Sequence, residues 1–293
     1  MIDKLEMFIA LAQEKHFGRA AESLNIAQPS LSAGIKQLEG QLGVQLVIRG
    51  ARFGGLTPEG QRVLDWAVKI VGDTRAMRDE MRAVRQGLAG NVRLATIPTA
   101  VTNVAKLTDS FVRKHPDVRF TILSCTSSEI LSLMDTLSVD CGLTYLDNEP
   151  LGRVETVALY QENYAIVCQC NHPIAAQNQS DWTQVVQASL CLLTPDMQNR
   201  RIINQNFAAA GLDPAPAIES NSTLALMAHV ETGDWVTILP VPLAKSLCEG
   251  KELIYRPLPT ITKDPTLGLI APKRDPQTPV ISALISHARK LKF

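Results

Sequence analysis

Apolar residues recur along this chain with two different periods, and the change of period divides it. Up to about residue 88 the spacing is helical. Leu5, Phe8, Ile9 and Ala12 make one stripe and predict a first helix. Arg19 to Leu24, with the small residues Ala20 and Ala21, predicts a second; Gly18 stands where Ser or Thr would cap better. Asn25-Ile26-Ala27-Gln28 breaks the pattern. A third helix opens at Gln28-Pro29-Ser30, since proline suits a first turn that needs no N–H, and Leu31, Ile35, Leu38 and Leu42 are expected to face inward. A long helix then starts at Pro58, with Thr57 as cap and Glu59 at the positive end of the helix dipole. Val63, Ala67, Ile70, Thr74, Met77, Met81, Val84 and Leu88 alternate spacings of four and three, a heptad seam. At ~1.5 Å per residue it is a rod of about 45 Å. Gly87, Gly90 and Asn91 end it.

Beyond residue 90 short apolar runs alternate with helical stretches. Residues 92–97, 118–123 and 141–146 read as strands, with helices from Val101 to His115 and from Ser128 to Leu137 between them. YAIVCQ, SLCLLT, WVTILP, LIYRPL and TLGLIA follow as further strands. Strands alternating with helices predict a parallel α/β sheet, and about 200 residues suit two lobes.

The third helix carries candidate chemistry. A helix that enters a DNA major groove needs short, uncharged or basic side chains at its leading end. Gln28, Pro29, Ser30, Ser32 and Ala33 fit base edges and thymine methyls, and Lys36, Arg49 and Arg52 fit phosphates or the minor groove. The same residues could instead coat an ordinary surface helix. The chain's 29 basic and 29 acidic residues cancel, so a nucleic-acid partner would be met by a local patch and not by bulk charge. That balance excludes a non-specific architectural DNA protein.

At residues 1–62 the chain resembles the LysR-type transcriptional regulators. The matching positions are Ala20-Ala21, Leu24, Gln28-Pro29-Ser30-Leu31-Ser32, Ile35, Leu38-Glu39, Leu42-Gly43, Leu46, Arg49, Leu56-Thr57 and Gly60. Val47 departs from the usual Phe, and Arg19, in place of a small polar residue, adds a candidate phosphate contact. The resemblance implies an α/β protein overall. Residues 1–57 would be an all-α winged helix-turn-helix and 58–88 a linker helix. Residues 89–293 would be a two-lobed effector domain like periplasmic binding proteins, with lobe one at 91–160 and 266–293 and lobe two at 161–265. The seam at 58–88 could pack on the chain's own core, but its charged flanks favour a second narrow seam and hence a homodimer. The resemblance adds a homotetramer, and paired heads imply a roughly palindromic double-stranded promoter site with half-sites about 34 Å apart.

Four turns are rich in hydroxyls or amides: Pro98-Thr99-Ala100, Thr126-Ser127-Ser128-Glu129, Thr194 to Arg200, and Ser220-Asn221-Ser222-Thr223. Each alone reads as a helix cap, and Thr126 with Glu129 is a capping box as written. The resemblance implies effector contacts at Pro98, Thr99 and Ala100, at Thr126, Ser127 and Ser128, at Met197, Gln198 and Arg200 with Arg201, and at Asn221 and Ser222. Neutral donors with Arg200 or Arg201 as counter-charge suit a small organic acid anion.

Six cysteines at 125, 141, 168, 170, 191 and 248 lie mostly in apolar runs and are expected as reduced core residues. The alternative is a cysteine-based redox switch on the same fold, which needs an accessible thiol and a partner. No resident cofactor or metal site is expected, because Cys168 and Cys170 with His172 lack a fourth ligand. An α/β enzyme with an N-terminal interaction domain is the remaining alternative. The chain carries no nucleophile elbow, phosphate loop or zinc-protease helix, and Asp147 and Glu149 read as a solvated strand end, so no catalytic residue is named. Without a signal-peptide pattern or a long apolar run, a cytoplasmic protein that does not enter a membrane is the expectation.

Overall fold

The computed structural model describes residues 1–48, 53–147, 150–176 and 181–292, without the side chain of Gln86. The expectations on Arg49, Arg52 and Glu149 lie outside the described residues. The chain forms two compact units. One is Met1–Leu88 joined by Asp135–Ser138 and Arg274–Pro279; the other holds the rest.

The first unit is built on α1 (Ile2–Glu14), α2 (Phe17–Ser23), α3 (Gln28–Leu42) and α4 (Pro58–Gln86). Leu5, Phe8, Leu11, Ala20, Leu31, Ile35, Leu38 and Leu46 form its core. Two details differ from the spacing. α2 starts earlier than Arg19, because His16 caps it: its Nδ1 accepts from the N–H groups of Gly18 and Arg19 at 3.1 and 3.2 Å. Leu42 is 40% exposed, because α3 ends there, with Gly43 in the left-handed region at φ 71°.

Between α3 and α4 the chain makes a narrow antiparallel ladder, with Ile48 N–H on Gly55 O at 3.0 Å and Thr57 N–H on Leu46 O at 3.0 Å. Glu39 fixes where it begins. Its buried Oε1 accepts from the Leu46 and Val47 N–H groups at 2.9 and 3.3 Å. Thr57 Oγ1 ties the far end, capping the Gly60 N–H at 2.9 Å and donating to Gln45 O at 2.6 Å.

The apolar surface of α4 is shared between two tasks. Ala67, Val71 and Ala76 are buried, and Val63, Leu64 and Val68 pack on the same core. Val63 and Ala67 therefore serve the head's own interior and not the seam predicted for a partner, because α1 lies along this half of the helix. Trp66, Ile70, Met77, Met81 and Val84 stay exposed, Met77 at 58% and Val84 at 77%.

The second unit has two lobes of one plan. In chain order it runs β1 (Gly90–Thr96), α5 (Val101–Val112), β2 (Val118–Ser124), α6 (Ser127–Asp135), β3 (Cys141–Tyr145) and β4 (Val154–Gln161). Then come β5 (Tyr164–Gln169), α7 (Trp182–Val185), β6 (Ser189–Leu193), α8 (Gln198–Ala209), β7 (Ile218–Ser220), α9 (Thr223–Val230) and β8 (Trp235–Pro240). It closes with α10 (Val241–Cys248), β9 (Leu253–Pro257), β10 (Thr266–Pro272) and α11 (Pro279–Ala288). The sheet orders are β2-β1-β3-β10-β4 and β7-β6-β8-β5-β9. The alternation predicted a parallel sheet, and each sheet instead carries one antiparallel strand. β10 runs antiparallel to β3 and β4, and β5 antiparallel to β8 and β9. These are the strands entered directly from the other lobe, with no crossover helix to reverse the chain. The lobes are joined at Glu162-Asn163 and at residues 258–265. The two crossings are bonded to each other, Glu162 N–H to Pro265 O at 3.0 Å.

Gly60 sits in the first turn of α4, where an added Cβ would overlap the Leu46 carbonyl oxygen. Helix propensity favours alanine by about 1 kcal/mol, but overlap with main chain cannot rotate away and costs about 1–3 kcal/mol or more. Gly60→Ala is therefore expected to destabilise the head by about 2 kcal/mol net. Gly40→Ala, whose Cβ meets nothing within 4 Å, should instead stabilise it by a few tenths to about 1 kcal/mol. Chemical denaturation of both variants checks the opposite signs.

Candidate functional site

The first candidate surface is the outer face of α3. Leu31, Gly34, Ile35, Leu38 and Glu39 point inward, which leaves Gln28, Pro29, Ser30, Ala33 and Lys36 exposed and Ser32 half-buried. The one carboxylate of the helix, Glu39, is thereby turned away from this face. A strip of small, neutral and basic groups remains, suited to a groove lined by acceptors and phosphates. Arg19 is exposed but tied back, donating from Nη2 to Glu14 O at 2.6 Å and pairing with the Glu14 carboxylate at 3.3 Å.

The second candidate lies where the lobes of the second unit face each other. In lobe one β2, β1 and β3 are parallel neighbours, so their carboxyl ends share one edge. Thr99 follows β1, Ser127 opens α6 after β2, and Tyr145 ends β3. In lobe two the carboxyl edge carries Thr194, Gln198 and Asn199 after β6 and Asn221 after β7, and β5 starts there with Tyr164. This is where open α/β sheets collect ligands.

The two edges touch through a buried polar cluster that spacing did not predict. Glu162, at the first crossing, accepts at Oε2 from the hydroxyl of Tyr145 and from that of Tyr164 at 3.1 Å. Asn199 Nδ2 reaches the Tyr145 oxygen at 3.2 Å, and Gln198 Nε2 donates to the Asp147 carbonyl at 3.1 Å. Burial pushes the Glu162 carboxyl up to about 7, against the opposing effect of the two tyrosine bonds. Burial, and after it the neighbouring carboxylate, drives Tyr145 up as well. Several buried atoms here have no partner among the described residues: Thr99 Oγ1, Ser127 Oγ, Thr194 Oγ1, Gln198 Oε1, Asn199 Oδ1 and Glu162 Oε1. Such atoms cost about 1–3 kcal/mol each when left unpaired.

The expected residues divide. Thr99, Ser127 and Gln198 are buried with unpartnered polar atoms, and Pro98 and Ala100 shape the turn that holds Thr99. Thr126 is occupied by its capping box, bonding Glu129 through N–H at 2.8 Å and accepting the Glu129 N–H at 3.2 Å; Ser128 is exposed and contacts Thr126. Met197 is buried in the lobe-two core, Ser222 caps α9, and Asn221 is exposed at its entrance. Arg200 corrects the expectation of a counter-charge. It is buried inside lobe two and donates to Leu193 O at 2.7 Å, Glu219 Oε1 at 2.6 Å and Asn204 Oδ1 at 2.9 Å. Arg201 donates to the carbonyls of Pro195 and Asp196 at 3.3 and 2.6 Å. Glu162, Tyr164 and Asn199 are the residues that sequence reasoning passed over. The signal was a glutamate just before the apolar run that opens at Tyr164.

The thiols are all unpaired. Burial pushes Cys168, Cys191 and Cys248 up to about 11, and Cys125 and Cys141 upward too, away from the reactive thiolate. Cys170 is exposed, against the expectation that it is buried, because β5 ends one residue before it. Among the described residues no group of three or more His, Cys, Asp or Glu side chains could hold a metal, and no helix is long and apolar enough to cross a membrane.

Both units of the chain are similar to known proteins. Residues 2–61 match the family model of the bacterial regulatory helix-turn-helix protein, lysR family, and residues 85–292 match that of the LysR substrate binding domain. The hydrogen peroxide-inducible genes activator of Escherichia coli is 25% identical over 272 residues, covering 92% of this chain and 88% of that protein. A full-length OxyR variant from Pseudomonas aeruginosa superimposes with a TM-score of 0.76 at 24% identity, over 99% of this chain and 95% of the other. Full-length CbnR complexed with its target DNA gives 0.65 at 20% identity, over 99% of both chains.

The raised Glu162 carboxyl fixes the sign of a pH effect. Its proton is held more tightly in the folded protein than near the ordinary 4.5, so its stabilisation is complete below about 4.5 and is lost as pH rises through about 7. Glu162→Gln removes that slope. Relative to the parent, the variant should gain on the order of 2–3 kcal/mol between pH 4.5 and pH 8. Denaturant melts of both proteins across this range measure the difference; parallel curves would contradict it.

Proposed function

We propose a mechanism from the premise that this chain belongs to the LysR family of DNA-binding transcriptional regulators, switched by small molecules. The observation that carries the reading is the outer face of α3, where Gln28, Pro29, Ser30, Ala33 and Lys36 stand exposed and the helix's carboxylate is turned inward. Gln28, Ser30 and Ser32 read base edges, Pro29 and Ala33 meet thymine methyls, and Lys36 meets phosphate. Arg49 and Arg52 add phosphate or minor-groove contacts. Arg19 reaches phosphate only on leaving Glu14. The target-DNA complex of CbnR, a protein of the same fold, supports docking on a duplex.

The exposed stripe of α4 supports pairing of two copies. Trp66, Ile70, Met77, Met81 and Val84 recur at seam spacing and lie open to solvent. Apolar side chains at these positions serve a second identical helix, which sets two heads on one rod and half-sites about 34 Å apart. A separate apolar groove lies on the second unit between α5 and the edge strand β2, lined by Val101, Val104, Ala105, Phe120 and Ile122. Two distinct apolar surfaces per chain are what a tetramer with two kinds of interface needs.

The facing edges of the lobes form the effector site, with Thr99, Ser127, Gln198 and Asn199 as its neutral contacts. An effector that bonds both edges favours one spacing of the lobes over another, and that difference in affinity is the switch. Of the two counter-charges expected from the sequence for an organic acid, Arg200 is engaged inside lobe two and Arg201 is bonded to the carbonyls of Pro195 and Asp196. Thiol switching on the pattern of the peroxide-inducible relative is less well supported, because burial raises five of the six thiols.

Footprinting of the DNA upstream of the chain's own gene tests the reading. Protection of two half-sites a turn apart is expected, and no protection at modest ionic strength overturns it. Lys36→Ala should weaken binding to all sequences alike and lower the salt slope by about 0.9. Met77→Glu with Met81→Glu should raise the dimer dissociation constant at least tenfold in sedimentation, and lose the paired footprint with it.

A further inference from the structure

The hydrogen-bonding capacity left open in the cleft is lopsided. The orientation of both amides is set by their partners. Gln198 Nε2 must be the donor, because it meets a backbone carbonyl, and Asn199 Nδ2 donates to a tyrosine oxygen whose own proton goes to Glu162. What remains open on these side chains is Gln198 Oε1 and Asn199 Oδ1, both acceptors. Glu162, once ionised, adds a third. Its Oε2 takes both tyrosine hydroxyls, and its buried Oε1 takes none. The hydroxyls of Thr99 and Ser127 serve in either sense.

No positive charge balances this acid. Among the described residues, those that bear on Glu162 are Tyr145 on β3, Tyr160 on β4 and Tyr164 on β5, none of them cationic. Asn199 on α8 is neutral, and Arg200 beside it points into lobe two. An anion placed here would face a second carboxyl with no cation to offset it.

We propose that the cleft recognises a small molecule bearing a protonated nitrogen, with Glu162 as its counter-charge and the Gln198 and Asn199 carbonyls as acceptors of its N–H groups. The proposal rests on the cleft being the effector site and names the chemical class that site takes. Binding then draws the proton from Glu162: the carboxyl ionises as the ammonium arrives, and the proton leaves to solvent. Tyr145 and Tyr164 hold the carboxylate in place and join the lobes through it, so the ligand completes a bridge from β3 to α8.

Calorimetric titration of the full-length protein with three matched series tests this: α,ω-diamines, diols and dicarboxylates of two to six carbons. A diamine is expected to bind, and diols and dicarboxylates of equal length at least tenfold more weakly. In buffers of different ionisation enthalpy at pH 7 the binding should release protons. In the parent protein diamine affinity should fall toward tenfold per unit as pH drops below about 7, where the carboxyl is protonated, and level off above it. Glu162→Gln should lose the tenfold preference and the pH dependence together. The pH profile stands on its own if that variant does not fold. Binding of dicarboxylates or diols in place of amines, or amine affinity that is flat with pH, overturns the cationic class while keeping the effector reading. Failure of every small molecule to change the footprint removes the effector reading itself, and this proposal with it.

Discussion

Everything in the second unit turns on an acid placed where water cannot reach it. Burying a carboxylate without a full set of partners is costly, and a fold keeps such a group only where neighbours hold it. Glu162 is held by two tyrosines, one from each lobe, and its backbone N–H is bonded to the other crossing. Glu162 is thus bonded to both lobes at the joint between them, beside the Asn199 and Gln198 bonds that also cross it. A group in that position feels any change in the spacing of the lobes, because Tyr145 and Tyr164 belong to different sheets. Its charge state and the geometry of the cleft are two faces of one equilibrium.

The first unit uses the same device for a different end. Glu39 is also a buried glutamate in a mostly apolar core, but it meets two backbone N–H groups in place of hydroxyls. It pins the start of the ladder after α3 and leaves that helix's outer face without negative charge. One residue therefore serves both the fold of the head and the electrostatics of its surface. In the cleft the acid is left with an open oxygen; in the head it is bonded in place.

Much of this was legible from spacing, and the misses have physical reasons. Helix bounds in the head follow from periodicity and proline, except at α2, where a histidine does what serine usually does. β4 was not read as a strand because it lies at a sheet edge with only Val157 buried among half-buried and exposed neighbours, so no apolar run announces it. The turns at Thr99 and Ser127 could be named because hydroxyls at strand ends are a local pattern. The Glu162 cluster could not, because Tyr145, Tyr164 and Asn199 meet only through the tertiary fold. Arg200 misled for a related reason. A formal charge shows in the sequence, but its pairing with Glu219 does not.

The order of strands has a consequence for how the protein is made. Lobe two is contiguous in the chain from β5 to β9, so every strand of its sheet is synthesised before the second crossing. Lobe one is not. β10, made after every strand of lobe two, lies between β3 and β4 in that sheet. Until then β3 has an open edge and β4 has nothing to pair with. The strands of the younger lobe are complete first, and the older one waits, unfinished, for β10.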